Sequence, residues 1–575
     1  MASTQTQPLS DAVSREIAHF KDQADGWALG TVPDNEFKPF RLVHGIYGQR
    51  QKGVQMVRVK IPGGQLNPAQ VRVLGELARD FAPRGIGHFT TRQNVQFHFV
   101  PLDKVPALME KIESVDLTTR EACGNAIRNI TASPVSGIAG DEIFDAYPYA
   151  KGAFRYFLRR AEFSNLPRKF KMSFNGSPRD YAQAAINDIG FFSQVRIVDG
   201  KPVRGFRLKV GGGLGSSPQD AWLYADFIPV DEVLPHVEAI LKHFDQAGER
   251  KNRMAARIKY LIRKEGIEKF REEVAKIHAT LPKQVPFPVE PQAAEPQAGP
   301  GGGIPDSGAE GFADWVRLNT WPQKQKGFRY AVLKLRLGDL TSQQFFFLAD
   351  AAERFGNGEL RTSNDQNLLL PWVAEEKLAD LHAELKKWDL AELGPDLIGD
   401  VTSCPGADTC NLGLVSSRGL GKVLTDTLAY KKEGKTDLND VHIKISGCPN
   451  SCGQHHVASI GFFGAVRKVG GQDSPHFNLL LGGGIDENGA KFGRLITKVP
   501  SRRVPRAVEL IVDAYRRERA EGESFVDWSR RADKAQVARL LEPLTEITSG
   551  DPELLKDNGS DEPFKLEGLG ASECA

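Results

Sequence analysis

Two stretches of this chain carry the same run of apolar and polar positions. Val57-Arg-Val-Lys-Ile-Pro-Gly-Gly-Gln-Leu66 is matched by Val332-Leu-Lys-Leu-Arg-Leu-Gly-Asp-Leu340, and both run into an amphipathic helix. Each helix leads to a further strand-like run, Thr90-Thr-Arg-Gln-Asn-Val-Gln-Phe97 in the first copy and Thr362-Ser-Asn-Asp-Gln-Asn-Leu-Leu369 in the second. The pattern predicts strand, helix, strand twice. Farther on, Ile189-Gly-Phe-Phe192 returns as Ile460-Gly-Phe-Phe463, and each is followed 21 residues after its glycine by a Gly-Gly-Gly run, Gly211 to Gly213 and Gly482 to Gly484. Equal spacing in both places predicts two fused copies of one unit, each a small strand-helix-strand part followed by a larger mixed part.

The join falls in residues 281–311, where Pro-Phe-Pro-Val-Glu-Pro and Gly-Pro-Gly-Gly-Gly read as an exposed linker. Residues 548–575, rich in Asp, Glu, Gly and Ser, read as a disordered tail. At 575 residues the chain is too long for one core and suggests about three or four domains. The N-terminal twenty residues are polar and no long apolar run follows, so a soluble cytoplasmic protein is expected, without membrane contact. The balanced charge, +2 overall, gives no footing for nucleic acid, so any anion site must be local.

Four of the six cysteines fall in two tight pairs, Cys404-x5-Cys410 and Cys448-x3-Cys452, two of them followed by proline. Four thiolates converging on one point suit a cubane iron–sulfur cluster, and Cys-Pro steps keep the ligands out of helix. A structural zinc site would pair its cysteines more closely, and two disulfides would suit a small secreted domain; both remain open as readings of spacing alone. Cys123 and Cys574 stand apart and receive no role. All four paired cysteines lie in the second copy. The first copy carries cations instead: Arg58, Arg92, Arg128 and the run Arg168-Lys-Phe-Lys171. Alternating Lys169 and Lys171 share one face of a strand, where a polyanionic cofactor or an oxyanion would offset their repulsion. The triple glycines lack the spacing of a dinucleotide site, and His455 and His456 are left out of the ligand set.

The cysteine quartet, Thr-Thr-Arg-Gln-Asn-Val-Gln-Phe-His98, Leu-Pro-Arg-Lys-Phe-Lys171 and Gly-Gly-Gly-Leu214 together resemble the sirohaem-dependent sulfite and nitrite reductases over about residues 35 to 545. The resemblance implies an internally duplicated α+β fold in which two paired ferredoxin-like half-domains (35–118 and 312–392) accompany two larger α/β domains (119–280 and 393–547) that enclose sirohaem and a 4Fe-4S cluster. It implies cluster ligation by Cys404, Cys410, Cys448 and Cys452, with Cys452 also bridging to the sirohaem iron. Arg58, Arg128, Lys169 and Lys171 would line the substrate face, and Arg92, Gln96 and Asn450 would lie close to the macrocycle.

Sulfite reductases of this family tend to have lysine at the position of Lys171, and plant-type nitrite reductases asparagine, so six-electron reduction of sulfite to sulfide is the expected reaction. Reduction of nitrite to ammonia is the alternative, and an iron–sulfur oxygenase of corrin synthesis a more remote one. A non-enzymatic cluster-binding or redox-sensing protein would need the cysteines but not the converging cations. His88 departs from an arginine of some sulfite reductases, weakening a cofactor-carboxylate contact or making it pH-dependent. No flavin, nicotinamide or second cluster motif is present, so electrons must come from a separate ferredoxin or flavoprotein subunit.

Overall fold

The computed structural model describes residues 8–290, 295–296, 303–305, 307–429, 438–439, 441–547, 550–566 and 569. It is a duplicated α+β chain built from two kinds of sheet, each occurring twice.

In the first small sheet, alternation along the strands sorts side chains between core and cavity. Val57 and Val59 of strand Val54–Lys60, and Val95 and Phe97 of strand Asn94–Pro101, are fully buried in the core. The intervening Met56, Arg58, Asn94, Gln96 and His98 face a large cavity. Register places Arg58 and His88 directly beside Gln96 on neighbouring strands. The second small sheet repeats this order with Phe328–Leu333, Leu368–Ala374 and Leu360–Thr362. There the equivalent face is apolar: Val332, Leu369 and Trp372 pack against Val135, Ile138 and Ala139 of the first copy.

The halves exchange edges. Strand Asp339–Thr341 of the second copy pairs with Ile86–Phe89 of the first, and Gln65–Leu66 of the first pairs with Leu360–Thr362 of the second. Helices Pro68–Asp80 and Ser342–Phe355 then pack together, with Gly75 allowing the Phe345 side chain to approach. One continuous hydrophobic core therefore runs through both small sheets. Each larger sheet has its own core and the same topology, two parallel pairings followed by two antiparallel ones.

Two features add to the expected organisation and one expectation needs correction. The first small domain is preceded by helix Asp11–Ala28, which Ser10 caps and which buries Ile17, Phe20 and Ala24 in the shared core, so a sequence that reads as polar contains an amphipathic stripe. The expected linker is exposed along most of its described residues but is anchored at two points: Val285 N donates to Asp231 O at 2.7 Å, and Phe287 is buried against Tyr149 and Phe174. The supposed disordered tail, where described, is ordered by buried Leu554, Asp557 and Asn558; Cys574 lies outside the described residues.

Candidate functional site

The two cysteine loops are brought together by parallel strand pairing. Strands Thr402–Ser403 and Ile443–Ser446 lie side by side, with Ser403 opposite Ile445, and Cys404 and Cys448 follow at the same ends. Gly447 lets the loops touch: a Cβ there would stand 2.7 Å from Gly406 Cα. Its backbone N–H donates to Cys404 Sγ at 3.2 Å, and Leu412 N to Cys410 Sγ at 3.4 Å. Hydrogen bonds to sulfur are one of the means by which a protein tunes a cluster. Burial raises the Cys448 thiol, and Cys452, Cys404 and Cys410 raise it further; bound iron would relieve that mutual repulsion. Among the described residues no three His, Cys, Asp or Glu side chains are grouped for a single metal ion. A four-iron core holds its thiolates farther apart than one ion does. At the matching places of the first copy stand Ser133, Ser177 and Tyr181, where the second has Cys404, Cys448 and Cys452.

Opposite the cysteines, Arg58, Arg92, Arg128, Lys169 and Lys171 line the same cavity, together with Gln96 and Asn450. Lys169 and Lys171 flank fully buried Phe170 in the extended run before strand Met172–Asn175, so the alternation holds although the strand begins after them. The loop between Glu121 and Gly124 orients two arginines. Ala122 O accepts from Arg58 Nη1 at 3.2 Å and from Arg128 Nη1 at 3.0 Å, while Gly124 O accepts from Arg128 Nε and Nη2. With its amide oxygen turned toward Arg58, Gln96 accepts from Nη2 at 2.7 Å and Nε at 2.9 Å. Arg92 donates to Asn187 Oδ1 and Asn129 O.

Crowding of cations has electrostatic consequences. Burial first, then Arg128, Arg257 and Arg58, push Arg92 down to about 9, with Asp188 opposing. Burial and then Arg92, Arg257 and Lys169 push Lys171 well below the ordinary lysine range, again against Asp188. Asp188 is fully buried; it accepts from Arg257 Nε and Nη2 at 2.9 and 2.8 Å and from Lys171 N at 2.8 Å. Around the same cavity, Arg92 Nε, Asn94 Oδ1, His98 Nδ1 and Ser451 Oγ are buried and have no hydrogen-bond partner among the described residues. These donors and acceptors, the cations and the four thiols fit a polyanionic macrocycle set against an iron–sulfur cluster. His88 is braced from the other half, its Nδ1 2.9 Å from Asp339 Oδ1, and burial lowers its pKa.

Sequence reasoning missed Asp188, Arg257 and Lys259, and the paired Gln183 and Gln454. Both glutamines adopt left-handed backbone, at φ 52° and 63°, and Gln454 Nε2 donates to Gln183 Oε1 where the copies meet. The duplication held the signal, because each stands six residues before its Ile-Gly-Phe-Phe run. Cys123 is buried against Leu42, Tyr47 and Met56, apart from the quartet.

A duplicated chain that closes a cation-lined cavity over four cysteines defines an iron–sulfur redox protein. Residues 123–282 and 395–546 match the nitrite and sulphite reductase 4Fe-4S domain, and residues 47–115 and 321–388 the nitrite/sulfite reductase ferredoxin-like half domain. The chain is 30% identical to the assimilatory ferredoxin-dependent nitrite reductase of Haloferax mediterranei, across 95% of this chain and 94% of that one. It is also 30% identical to the sulfite reductase [ferredoxin] of Mycobacterium tuberculosis strain H37Rv, across 85% and 87%. The structure of the Mycobacterium tuberculosis NirA protein superimposes with a TM-score of 0.75 and 26% identity, over 93% of this chain and 100% of that chain. This chain belongs to the nitrite and sulfite reductase family, an oxidoreductase family whose members carry sirohaem and a 4Fe-4S cluster.

Proposed function

We propose that the protein reduces sulfite to sulfide, taking electrons singly from ferredoxin in the cytoplasm. Lys171 carries the choice of substrate. A buried lysine beside Lys169, Arg92 and Arg257 is a costly cation that a dianion with three oxygens offsets better than nitrite does. Ferredoxin is favoured as donor because relatives of both kinds are named as ferredoxin-dependent. A reducing compartment suits four thiolates held for iron. Nitrite reduction to ammonia is the second reading, favoured by the Haloferax relative.

Cys404, Cys410, Cys448 and Cys452 would hold the cluster, and Cys452, Arg92, Gln96 and Asn450 would hold the sirohaem. Sirohaem coupled to the cluster supplies, when bound, an iron that takes the anion and a path for electrons. Arg58 and Arg128, their guanidinium groups fixed by Ala122 O, hold and polarise the oxyanion. Lys169 and Lys171 donate protons as oxygens leave, and the lowered pKa of Lys171 makes its ammonium a better acid than a solvated lysine. Sulfite takes up six electrons and seven protons and yields hydrosulfide and three waters.

An anaerobic absorption spectrum followed by parallel turnover of sulfite and nitrite, with sulfide and ammonia quantified, tests the proposal. A sirohaem spectrum with faster sulfide formation is expected, and dominant ammonia would move the assignment to nitrite. Lys171→Asn should lower sulfite turnover more than nitrite turnover, by about tenfold if one charge-assisted contact is lost. Equal losses would remove the basis for choosing sulfite.

A further inference from the structure

Residues 550–566 run back over the second large domain and pass behind the loop that bears Cys404 and Cys410. Asp551 Oδ2 is 2.9 Å from Arg503 Nη2, and the carbonyl of buried Leu554 accepts from Ser474 Oγ. The next turn sits between two serines from separate elements. Asp557 Oδ1 accepts from Ser501 Oγ at 2.5 Å, and its Oδ2 accepts from Ser416 backbone N at 2.7 Å. Asn558 Nδ2 donates to Ser501 O at 2.7 Å. Asp557 and Asn558 are only 6% and 3% exposed, so both belong to the interior.

Ser416 links this segment to the cysteine loop. It caps helix Ser417–Thr427 by accepting from Gly419 N at 3.0 Å, and its hydroxyl donates to Asp408 Oδ1 at 2.7 Å. The following residue, fully buried Ser417, donates to Cys404 O at 2.8 Å and lies 3.4 Å from Cys404 Sγ. A second contact is purely steric. A Cβ on Gly419 would stand 2.0 Å from Asn558 O, so the helix start and the returning backbone touch directly.

We propose that the segment from Asp551 to Phe564 is a clasp for the cluster loop, with Asp557 as its positioning residue. The carboxylate bridges Ser501 and Ser416, which lie on two different elements, and places negative charge at a helix N-terminus. It thereby fixes Ser416 and Ser417, and through them Cys404, before iron arrives and after it is bound. The inference rests on the reading that the four cysteines hold the cluster.

The test uses full-length holoenzyme carrying Asp557→Ala, Asp557→Asn or Gly419→Ala, with Cys404→Ser as reference. Two quantities are measured well below the melting temperature: the rate at which an iron chelator bleaches cluster absorbance, and the cluster midpoint potential by EPR-monitored titration. Asp557→Ala should bleach about tenfold faster, the ratio expected for a lost hydrogen bond to a charged group, and its potential should shift. Gly419→Ala should act in the same direction although it removes no hydrogen-bonding group, and Asp557→Asn should fall between, since its amide keeps one acceptor. A purely structural tail would lower melting temperature yet leave bleaching rate and potential at parent values, and that result overturns the proposal. If Asp557→Ala does not fold, Gly419→Ala and Asp557→Asn decide by the same comparison. A Cys404→Ser protein that keeps its cluster overturns the ligand assignment itself, whereas loss there with parent-like Asp557 and Gly419 variants overturns only the clasp.

Discussion

At the residue scale, burial decides which groups are charged, and His44 shows the consequence for stability. Its Nδ1 lies 2.9 Å from Phe40 O and its Nε2 2.9 Å from Arg120 Nη1, so the ring must donate at one nitrogen and accept at the other. A second proton would face a guanidinium. Burial, then Arg120, push His44 down to about 4. The unfolded chain therefore binds the proton more readily, and the stability held above about pH 6.5 is lost as pH falls toward 4. At pH 5 the loss is about 2 kcal/mol. His44→Gln, which keeps one donor and one acceptor but does not titrate, should show a drop in melting temperature between pH 7 and pH 5 that is smaller by several degrees. An unchanged drop would assign the acid sensitivity to other groups. The sequence offered no hint of this, because His44 is conspicuous only once Phe40, Glu16 and Arg120 surround it. Arg58 and Lys171 were legible for the opposite reason: cations within apolar strand text stand out before folding.

At the element scale, reciprocal glutamines lock the copies together. Gln93 donates from Nε2 to Thr362 O at 2.9 Å, and Gln366 donates to Phe89 O at 2.8 Å, each reaching into the other copy. Gln93 Oε1 also accepts from Ala132 N, and Gln366 Oε1 from Ser403 N at 2.8 Å, tying each turn to its larger sheet. Gln366→Met keeps side-chain size but leaves a buried carbonyl and a buried N–H unpaired, at a cost of about 2–4 kcal/mol. A melting temperature several degrees lower is expected, with Gln93→Met behaving alike, and calorimetry checks both. Sequence pattern predicted the flanking strands, since alternation is local. The role of the glutamines was invisible there, because both partners lie in the other copy.

At the scale of the whole molecule, neither copy is complete. Each small sheet takes its last strand from the other copy, and both small sheets share one core. A chain ending at residue 290 would expose an unpaired edge at Ile86–Phe89 and the apolar surface of Phe89, Leu74 and Val71 that the second copy helps to cover. It should be insoluble or aggregated when produced alone, and co-production with residues 303–575 should recover soluble protein; size-exclusion chromatography of both preparations checks this. A soluble, monomeric first half would show that the exchange is dispensable. Sequence by itself determined the duplication, the cysteine quartet and the division of paired cysteines from cations between copies, because repeats, spacing and alternation are local or periodic properties. Only the tertiary structure decided which strands cross between copies, how Asp188 balances the cations, and that Leu554, Asp557 and Asn558 of the polar C-terminal segment are buried. Those features depend on groups far apart in the chain meeting out of water, where an unpaired charge or amide is expensive and a paired one holds its neighbours in place.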